Sequence, residues 1–161
     1  ILSGVIFGWA ALLDGKNAIQ TQSYGSAARG GACKCDVIVK DTAIYELEPG
    51  ELDVLFSFSQ LAYDKFKSSL KKSGALFVDK DLVLNYDHSD KTFAVPATDM
   101  AFKEFKNKII ANMIMLGYFN GKMRMLKDSS MEESIAQYVP DKYKDANIEA
   151  YRMGIGLAEG D

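Results

Sequence analysis

The sequence predicts one three-layer αβα domain, with a largely parallel or mixed central sheet and a helical C-terminal third. An apolar run at 52–58, an amphipathic segment at 60–74 and a second apolar run at 75–79 follow the strand–helix–strand order of a parallel sheet. From Thr98 onward the apolar spacing is helical. The 161 residues suffice for one domain, which we expect to span 1–161.

The composition is that of an ordinary soluble globular protein, with 48% apolar and 25% charged residues. The net charge of −3 disfavours a nucleic-acid partner, which would need a basic surface. The most apolar stretch, residues 1–13, is too short to cross a bilayer and lacks the basic flank and cleavage site of a signal peptide. We therefore expect a cytoplasmic protein with no nucleic-acid or membrane partner.

The N-terminal quarter is predicted to contain one helix and two strands. Residues 1–13 are apolar almost all round, which is typical of a buried helix. Gly15 is expected to cap the C-terminus of this helix. A short strand at 18–23 and an alternating strand at 32–40 follow.

The middle of the chain is predicted to form the crossover of the parallel sheet. The helix at 60–74 would end at Gly74 and lead into a buried strand at 75–79. Its core-facing residues would be Leu61, Phe66 and Leu70. Residues 81–97 are predicted to form two short strands around a polar turn at 87–90.

The C-terminal third is predicted to be helical throughout. A short helix precedes a longer one at about 107–119. Ser130 and Glu133 form a capping-box pattern before another helix, and the last helix starts after Pro140. The glycines at 153–160 therefore belong to a helix pattern, and no complete phosphate-binding motif is present.

A buried amide and several methionines stand out in this helical region. Asn112 lies inside an apolar helix, and because a buried amide needs hydrogen-bond partners we expect it to bridge to a loop or to another subunit. The methionines are expected to pack in the core or at an interface; they are Met113, Met115, Met123 and Met125.

Three glycines surround an arginine between the two N-terminal strands. Gly25, Gly30 and Gly31 permit a positive φ or a close backbone approach, and successive N–H groups in such a loop can cradle an anion. Arg29 would add a bidentate grip on a carboxylate or phosphate. The alternative is a tight turn in which Arg29 binds backbone carbonyls or a surface acid.

Two cysteines and one histidine are the other candidates for chemistry. Cys33 and Cys35 share one face of a strand, and we expect reduced, partly packed thiols, with a redox or metal role as the alternative. An iron–sulfur cluster normally needs four thiolates, and the chain has two. His88 lies in an acidic turn, where a solvated side chain is expected rather than a general base.

Several segments together resemble one known family. The stretch SYGSAARGGACKCDVIVKD is similar to the Y-G-x-x-x-R-G-G segment and following strand of the gamma subunit of 2-oxoacid:ferredoxin (acceptor) oxidoreductases. The likeness continues in order through LDVLFSFSQLAYDKF, GALFVDKDLV, VPATDMA and NKIIANMIMLGYF, and so covers most of residues 1–119. The first stretch and SQLAYDKF favour a 2-oxoglutarate enzyme over a pyruvate or branched-chain one.

The resemblance implies that this loop, with Arg29, binds coenzyme A or faces a partner subunit, and two departures from the family pattern limit what can be inferred from it. The matching residues are Tyr24, Gly25, Arg29, Gly30 and Gly31. Where the family commonly has Pro-Glu this chain has Ser26-Ala27, so no role of that acid is inferred. The family domain usually opens with a G-x-G-G-Q-G turn, and Ile1 would fall just after it, so we expect residues upstream.

The resemblance also implies a subunit function. The holoenzyme would decarboxylate a 2-oxoacid on thiamine diphosphate with Mg²⁺, pass electrons through [4Fe-4S] clusters to a ferredoxin-type acceptor and form an acyl-coenzyme A. This chain would bind none of these cofactors alone, would pack against the alpha and beta subunits, with or without a delta subunit, and would help to shape the coenzyme A side of the site. The alternatives are a stand-alone nucleotide- or anion-binding module and a small enzyme built on His88.

Overall fold

The chain mixes strands and helices as far as residue 95 and is helical beyond it. A computed structural model describes residues 1–24 and 33–160. The strands are β1 (Asn17–Ser23), β2 (Lys34–Lys40), β3 (Leu52–Ser57), β4 (Leu70–Asp79) and β5 (Thr92–Val95). The helices are α1 (Leu2–Leu13), α2 (Gln60–Phe66), α3 (Ala97–Phe105), α4 (Ala111–Met123), α5 (Asp128–Tyr138) and α6 (Lys144–Gly160). Short 3-10 turns occupy Lys67–Ser69, Lys108–Ile110 and Asp141–Tyr143.

The central sheet is parallel, as the sequence predicts, with strand order β3-β4-β5. Its two faces are covered by different elements. Phe56, Phe77 and Phe93 pair directly across the three strands and meet Tyr118 and Phe119 of α4 edge-on. The other face carries Leu55, Leu76 and Val78, which cluster with Tyr63 of α2 and Val83. The predicted αβα layering is therefore confirmed.

Strands β1 and β2 form a separate antiparallel hairpin rather than part of the central sheet. Their pairing runs without a bulge from Asn17↔Lys40 to Ser23↔Lys34. The hairpin packs against α1, where Gly4 allows a close approach: a Cβ at this position would lie 2.3 Å from the sulfur of Cys35. Residues 24 and 33 therefore both lie at the end of the hairpin where Ser23 pairs with Lys34.

Helices α4 and α6 cross so closely that their backbones are in contact. A Cβ added at Gly117 would lie 1.9 Å from the carbonyl oxygen of Tyr151, and one at Gly154 would lie 2.0 Å from that of Ile114. Glycine is therefore required on both sides of the crossing, because any side chain would push the two helices apart. The prediction that the glycines at 153–160 belong to a helix is confirmed.

The predicted helix α1 is confirmed, including its cap. Gly15 has φ +78°, and the N–H of Lys16 donates to the carbonyl of Ala11, which is the hydrogen bond of a Schellman C-cap. The expected burial of α1 is found on only one side of the helix. Ala10 is fully buried, whereas Trp9 remains exposed on the opposite side.

The predicted helix at 60–74 is wrong beyond Phe66. The helix ends there and β4 already begins at Leu70, because the backbone of Leu70 pairs with Leu52 of β3. Gly74 is consequently a strand residue and not a cap. Leu61, predicted to face the core, is 54% exposed.

Two further predictions about local structure are wrong. Only the second strand predicted within 81–97 forms; residues 80–91 are a loop whose backbone at Leu84 and Asn85 donates to the side chain of Gln60. The capping box also fails, because α5 starts at Asp128 and Ser130 lies within the helix, where its hydroxyl donates to Asp14.

None of the helices within residues 1–24 and 33–160 combines the length and the apolar character needed to cross a membrane.

Candidate functional site

The predicted binding loop is described only at its first residue. Gly25, Arg29, Gly30 and Gly31 lie outside the described residues. Tyr24, which directly follows β1, is 69% exposed, and its hydroxyl donates to Oε1 of Gln22 at 2.7 Å. The phenol therefore faces solvent at the start of the loop, where it is accessible to a ligand or another protein.

The hairpin places the other end of the loop near α2. Lys34 opens β2, and its Nζ donates to Oδ2 of Asp36 at 2.5 Å. The same Nζ lies 5.9 Å from the ring centroid of Phe66, the last residue of α2. The end of β2 that follows the glycine loop thus lies beside the end of α2.

Three lysines gather at this junction, and we refer to Lys34, Lys65 and Lys67 as the lysine cluster. Nζ of Lys65 lies 5.3 Å from the centroid of the same Phe66 ring, and Nζ of Lys67 lies 5.2 Å from that of Tyr63. Cations over aromatic faces are attracted by the ring quadrupole. The lysine cluster therefore places three cations beside the aromatic rings of α2, and one of them, Lys34, is ion-paired with Asp36.

The carboxyl end of β4 holds a buried acid that organises α3. Oδ2 of Asp79 accepts hydrogen bonds from the N–H of Thr98 at 3.1 Å and from its hydroxyl at 2.5 Å, and Oδ1 accepts from the N–H of Asp81. Burial raises the pKa of Asp79, although these hydrogen bonds favour the ionised form. The first turn of α3 is thus capped by an acid from the sheet.

Two buried polar atoms make no hydrogen bond within the described part of the chain. They are Oγ of Ser57, at the carboxyl end of β3, and Oδ1 of Asn112 in α4. Ligands of open parallel sheets bind beyond the carboxyl ends of the strands, where Ser57 and Asp79 lie. The expectation that Asn112 bridges to a loop or another subunit stays a prediction.

His88 lies beside a shallow polar depression of about 290 Å³. The depression is fixed by Tyr63, whose hydroxyl accepts the N–H of Asp87 at 2.8 Å. His88 is exposed, with its ring centroid 4.7 Å from that of Tyr86. This solvated position agrees with the expectation from sequence, and we see no arrangement here that favours an enzyme built on His88.

Both cysteines are free thiols. Cys33 is exposed, and Cys35 is half-buried with its sulfur accepting a hydrogen bond from Nε2 of Gln20 at 2.9 Å. Among residues 1–24 and 33–160 no group of three or more His, Cys, Asp or Glu side chains is placed to hold a metal ion. With two cysteines in the sequence, the chain does not fit a four-thiolate iron–sulfur cluster.

The described residues form an αβα chain with a small parallel sheet and a separate antiparallel hairpin, at one end of which Lys34 lies beside Phe66 of α2. The chain belongs to the pyruvate ferredoxin/flavodoxin oxidoreductase family, whose model matches residues 1–157. It is 40% identical over 163 residues to the 2-oxoglutarate synthase subunit KorC of Methanocaldococcus jannaschii, covering 99% of this chain and 87% of that relative.

Solved structures of similar fold agree with this assignment. The gamma subunit of a keto/oxoacid ferredoxin oxidoreductase from Geobacter sulfurreducens superposes with a TM-score of 0.86 at 35% identity, covering 100% of this chain and 92% of that one. A 2-oxoglutarate:ferredoxin oxidoreductase chain from Magnetococcus marinus superposes with a TM-score of 0.85 at 21% identity, covering 100% and 29%. The resemblance inferred from the sequence motifs is confirmed.

Proposed function

We propose that this chain is the gamma subunit of a 2-oxoacid:ferredoxin oxidoreductase that converts 2-oxoglutarate to an acyl-coenzyme A. The observation that carries the proposal is the 40% identity to a 2-oxoglutarate synthase subunit over nearly the whole of both chains. The gamma subunit from Geobacter sulfurreducens supports the subunit type independently, by its fold. The holoenzyme would act in the cytoplasm.

The proposed complex divides the chemistry among its subunits. Thiamine diphosphate, Mg²⁺ and the [4Fe-4S] clusters would be held by the alpha, beta and delta subunits. There they would supply decarboxylation and electron transfer to a ferredoxin-type acceptor. The two cysteines of this chain do not fit a cluster, which agrees with that division. The role of this chain is then to bind its partners and to complete the surface that receives coenzyme A.

The glycine loop is the proposed contact of this chain with coenzyme A, through Tyr24 and residues 25–31. The lysine cluster supports an anionic ligand, because Lys65 of α2 lies near the same Phe66 ring as Lys34, the first residue of β2. Arg29 would bind a phosphate of the ligand through two parallel N–H···O bonds. The exposed hydroxyl of Tyr24 would donate or accept one further hydrogen bond.

Replacement of Arg29 tests this role. In the reconstituted complex, Arg29→Ala should lower acyl-coenzyme A formation by about 10- to 100-fold at limiting coenzyme A, since a hydrogen bond to a charged group contributes about 1.5–3 kcal/mol. The measurement is the rate of 2-oxoglutarate-dependent acyl-coenzyme A formation, with gel filtration of the complex alongside.

The matched control for this test is Arg152→Ala, because Arg152 forms a surface ion pair with Glu132 on α6 and α5. That variant should assemble and turn over like the wild type. An Arg29→Ala complex with wild-type assembly and wild-type dependence on coenzyme A would remove the loop from the proposed site. Pyruvate turnover exceeding that of 2-oxoglutarate would overturn the substrate assignment.

A further inference from the structure

The shallow polar depression between α2 and the loop that follows β4 is held in place by hydrogen bonds. Oε1 of Gln60 accepts the N–H groups of Leu84 and Asn85 at 3.0 and 2.9 Å, and Nε2 of Gln60 donates to the carbonyl of Asn85 at 2.7 Å. The hydroxyl of the buried Tyr63 accepts the N–H of Asp87 at 2.8 Å. The walls of the depression are therefore fixed before any ligand binds, which lowers the entropic cost of binding.

The lining of the depression combines three kinds of chemical group. Leu84, which is 76% exposed, and the half-buried ring of Tyr86 supply apolar surface. Lys67 supplies a cation, and Asp64 and Asp87 supply carboxylates. Pockets for small molecules have volumes of roughly 300–1,000 Å³. A depression of about 290 Å³ therefore suits one end of a larger ligand.

The ammonium of Lys67 is available to a ligand. Its Nζ lies 5.2 Å from the ring centroid of Tyr63, so one side of the cation is covered by an aromatic face. Lys67 forms no ion pair with any acid among residues 1–24 and 33–160. Lysine is a common ligand of phosphate groups in proteins. Lys67 therefore suits an anionic group at the edge of the depression.

These three kinds of group together match an adenosine phosphate. The face of a purine ring stacks on aromatic and apolar side chains. The exocyclic amino group of adenine is a hydrogen-bond donor, for which a carboxylate of Asp64 or Asp87 is an acceptor. The phosphate pairs with Lys67. An inorganic anion would use only the lysine and would be repelled by the two carboxylates.

We propose that the depression binds the adenosine 3′-phosphate end of coenzyme A, with Leu84 and Tyr86 against the adenine ring and Lys67 on the 3′-phosphate. The inference rests on the proposed function, which makes coenzyme A the ligand. A phosphate monoester carries a charge of about −1.5 to −2 at neutral pH, so its contact with an unpaired ammonium is charge-assisted.

The lysine cluster connects the depression to the glycine loop. Lys67 directly follows Phe66 in the sequence, and Lys65 and Lys34 both lie beside the Phe66 ring. Lys34 is the first residue of β2, the strand that follows the loop. The diphosphate of the same ligand would therefore run past these lysines toward Arg29, which leaves the 3′-phosphate to Lys67.

The experiment compares coenzyme A with 3′-dephospho-coenzyme A in the reconstituted complex, with 2-oxoglutarate as the substrate. The wild type should prefer coenzyme A by about 10-fold in kcat/KM, since one hydrogen bond between charged groups distinguishes the two thiols. Lys67→Gln should remove this preference. The matched control is Lys108→Gln, because Nζ of Lys108 lies 5.5 Å from the ring centroid of Phe102 on α3, outside the depression. That variant should keep the wild-type preference.

A second measurement tests the position of the adenine ring. Adenosine 3′,5′-bisphosphate should inhibit the complex in competition with coenzyme A, and Tyr86→Ala should weaken this inhibition about 5-fold through the lost stacking. Tyr86→Phe should retain it. Because Tyr86 also packs against the core cluster that contains Tyr63, Leu84→Glu tests the same surface at an exposed position and should weaken the inhibition as well.

The outcomes separate the subsite from the proposed function. Equal use of the two thiols by the wild type, or a full preference in Lys67→Gln, overturns the subsite alone, because acyl-coenzyme A is still formed. Wild-type inhibition of both Tyr86→Ala and Leu84→Glu by the bisphosphate also overturns it. A wild-type complex with no coenzyme A-dependent turnover of 2-oxoglutarate overturns the proposed function together with the subsite.

Discussion

At the scale of single residues, Asp14 joins two distant parts of the chain. Its side chain is only 7% exposed, and it accepts hydrogen bonds from the N–H of Lys127 at 2.8 Å and from the hydroxyl of Ser130 at 2.6 Å. Burial by itself would raise the pKa of Asp14, but these hydrogen bonds and the charges of Lys127 and Lys16 lower it below the ordinary value of 3.8. The ionised form is therefore the one that links α1 to α5.

Asp14→Asn should destabilise the chain by about 1–3 kcal/mol at neutral pH, because a buried charged acceptor is lost. Since the folded pKa lies below the unfolded one, this contribution is present above pH 3.8 and is lost as the pH falls through the lowered folded pKa. Urea unfolding of wild type and variant at pH 7 and at about pH 2.5 measures the difference, which should shrink at the lower pH.

Asp53→Asn is the control for that measurement, because the side chain of Asp53 is 82% exposed in its ion pair with Lys71. A surface pair of this kind contributes about 0–1 kcal/mol. Equal destabilisation by the two substitutions, or a loss for Asp14→Asn that does not change with pH, would contradict the role given to Asp14.

At the scale of elements, the crossing of α4 and α6 depends on the absence of two side chains. Gly117→Ala would place a methyl group 1.9 Å from the carbonyl oxygen of Tyr151. Because the obstacle is backbone, the helices must separate, and we expect a loss of about 3 kcal/mol. Chemical denaturation measures the free energy of unfolding.

Gly156→Ala is the matched control on the same helix pair. Gly156 lies on the exposed side of α6, and a Cβ there would meet nothing within 4 Å. Alanine should stabilise α6 by about 0.5–1 kcal/mol, because glycine loses more backbone entropy in a helix. A neutral Gly117→Ala together with a destabilising Gly156→Ala would be incompatible with the observed crossing.

The elements that the sequence predicted well are those whose local pattern agrees with their tertiary partners. The strands at 34–40 and 52–57 carry alternating or continuous apolar residues, and α1 ends at a glycine that the cap requires. The predicted helix at 60–74 failed because pairing of Leu70 with Leu52 overrides a helical apolar spacing. Such long-range pairing has no signature in the local sequence.

Only those residues of the candidate site that are adjacent in the sequence could be predicted from it. Tyr24 and the glycine loop stand together in the sequence, so their pattern and the family resemblance could point to them. The lysine cluster could not be predicted, since Lys34 meets Phe66 only through the folded arrangement of β2 and α2. The partial exposure of α1 was also missed, because an all-apolar helix predicts burial on every side, whereas Trp9 is 38% exposed.

At the scale of the whole molecule, the proposed function requires that this chain has no oxidoreductase activity alone. The isolated chain, given 2-oxoglutarate, coenzyme A, thiamine diphosphate, Mg²⁺ and a viologen acceptor, should reduce no acceptor above background. The physical reason is its ligand set: with two cysteines it cannot provide four thiolates for a cluster. Addition of the alpha, beta and delta subunits should restore turnover, and turnover by the pure chain would contradict the division of labour.

The bulge-free hairpin has a consequence for how the family can diversify. Its seven paired residues on each strand fix both flanks of segment 24–33 by backbone hydrogen bonds and by packing on α1. Residues inserted or removed between those flanks need not disturb the register below, whereas a one-residue slip within β2 would turn every side chain to the opposite face. The length and sequence of segment 24–33 can therefore change in evolution while the pairing of β1 with β2 is kept.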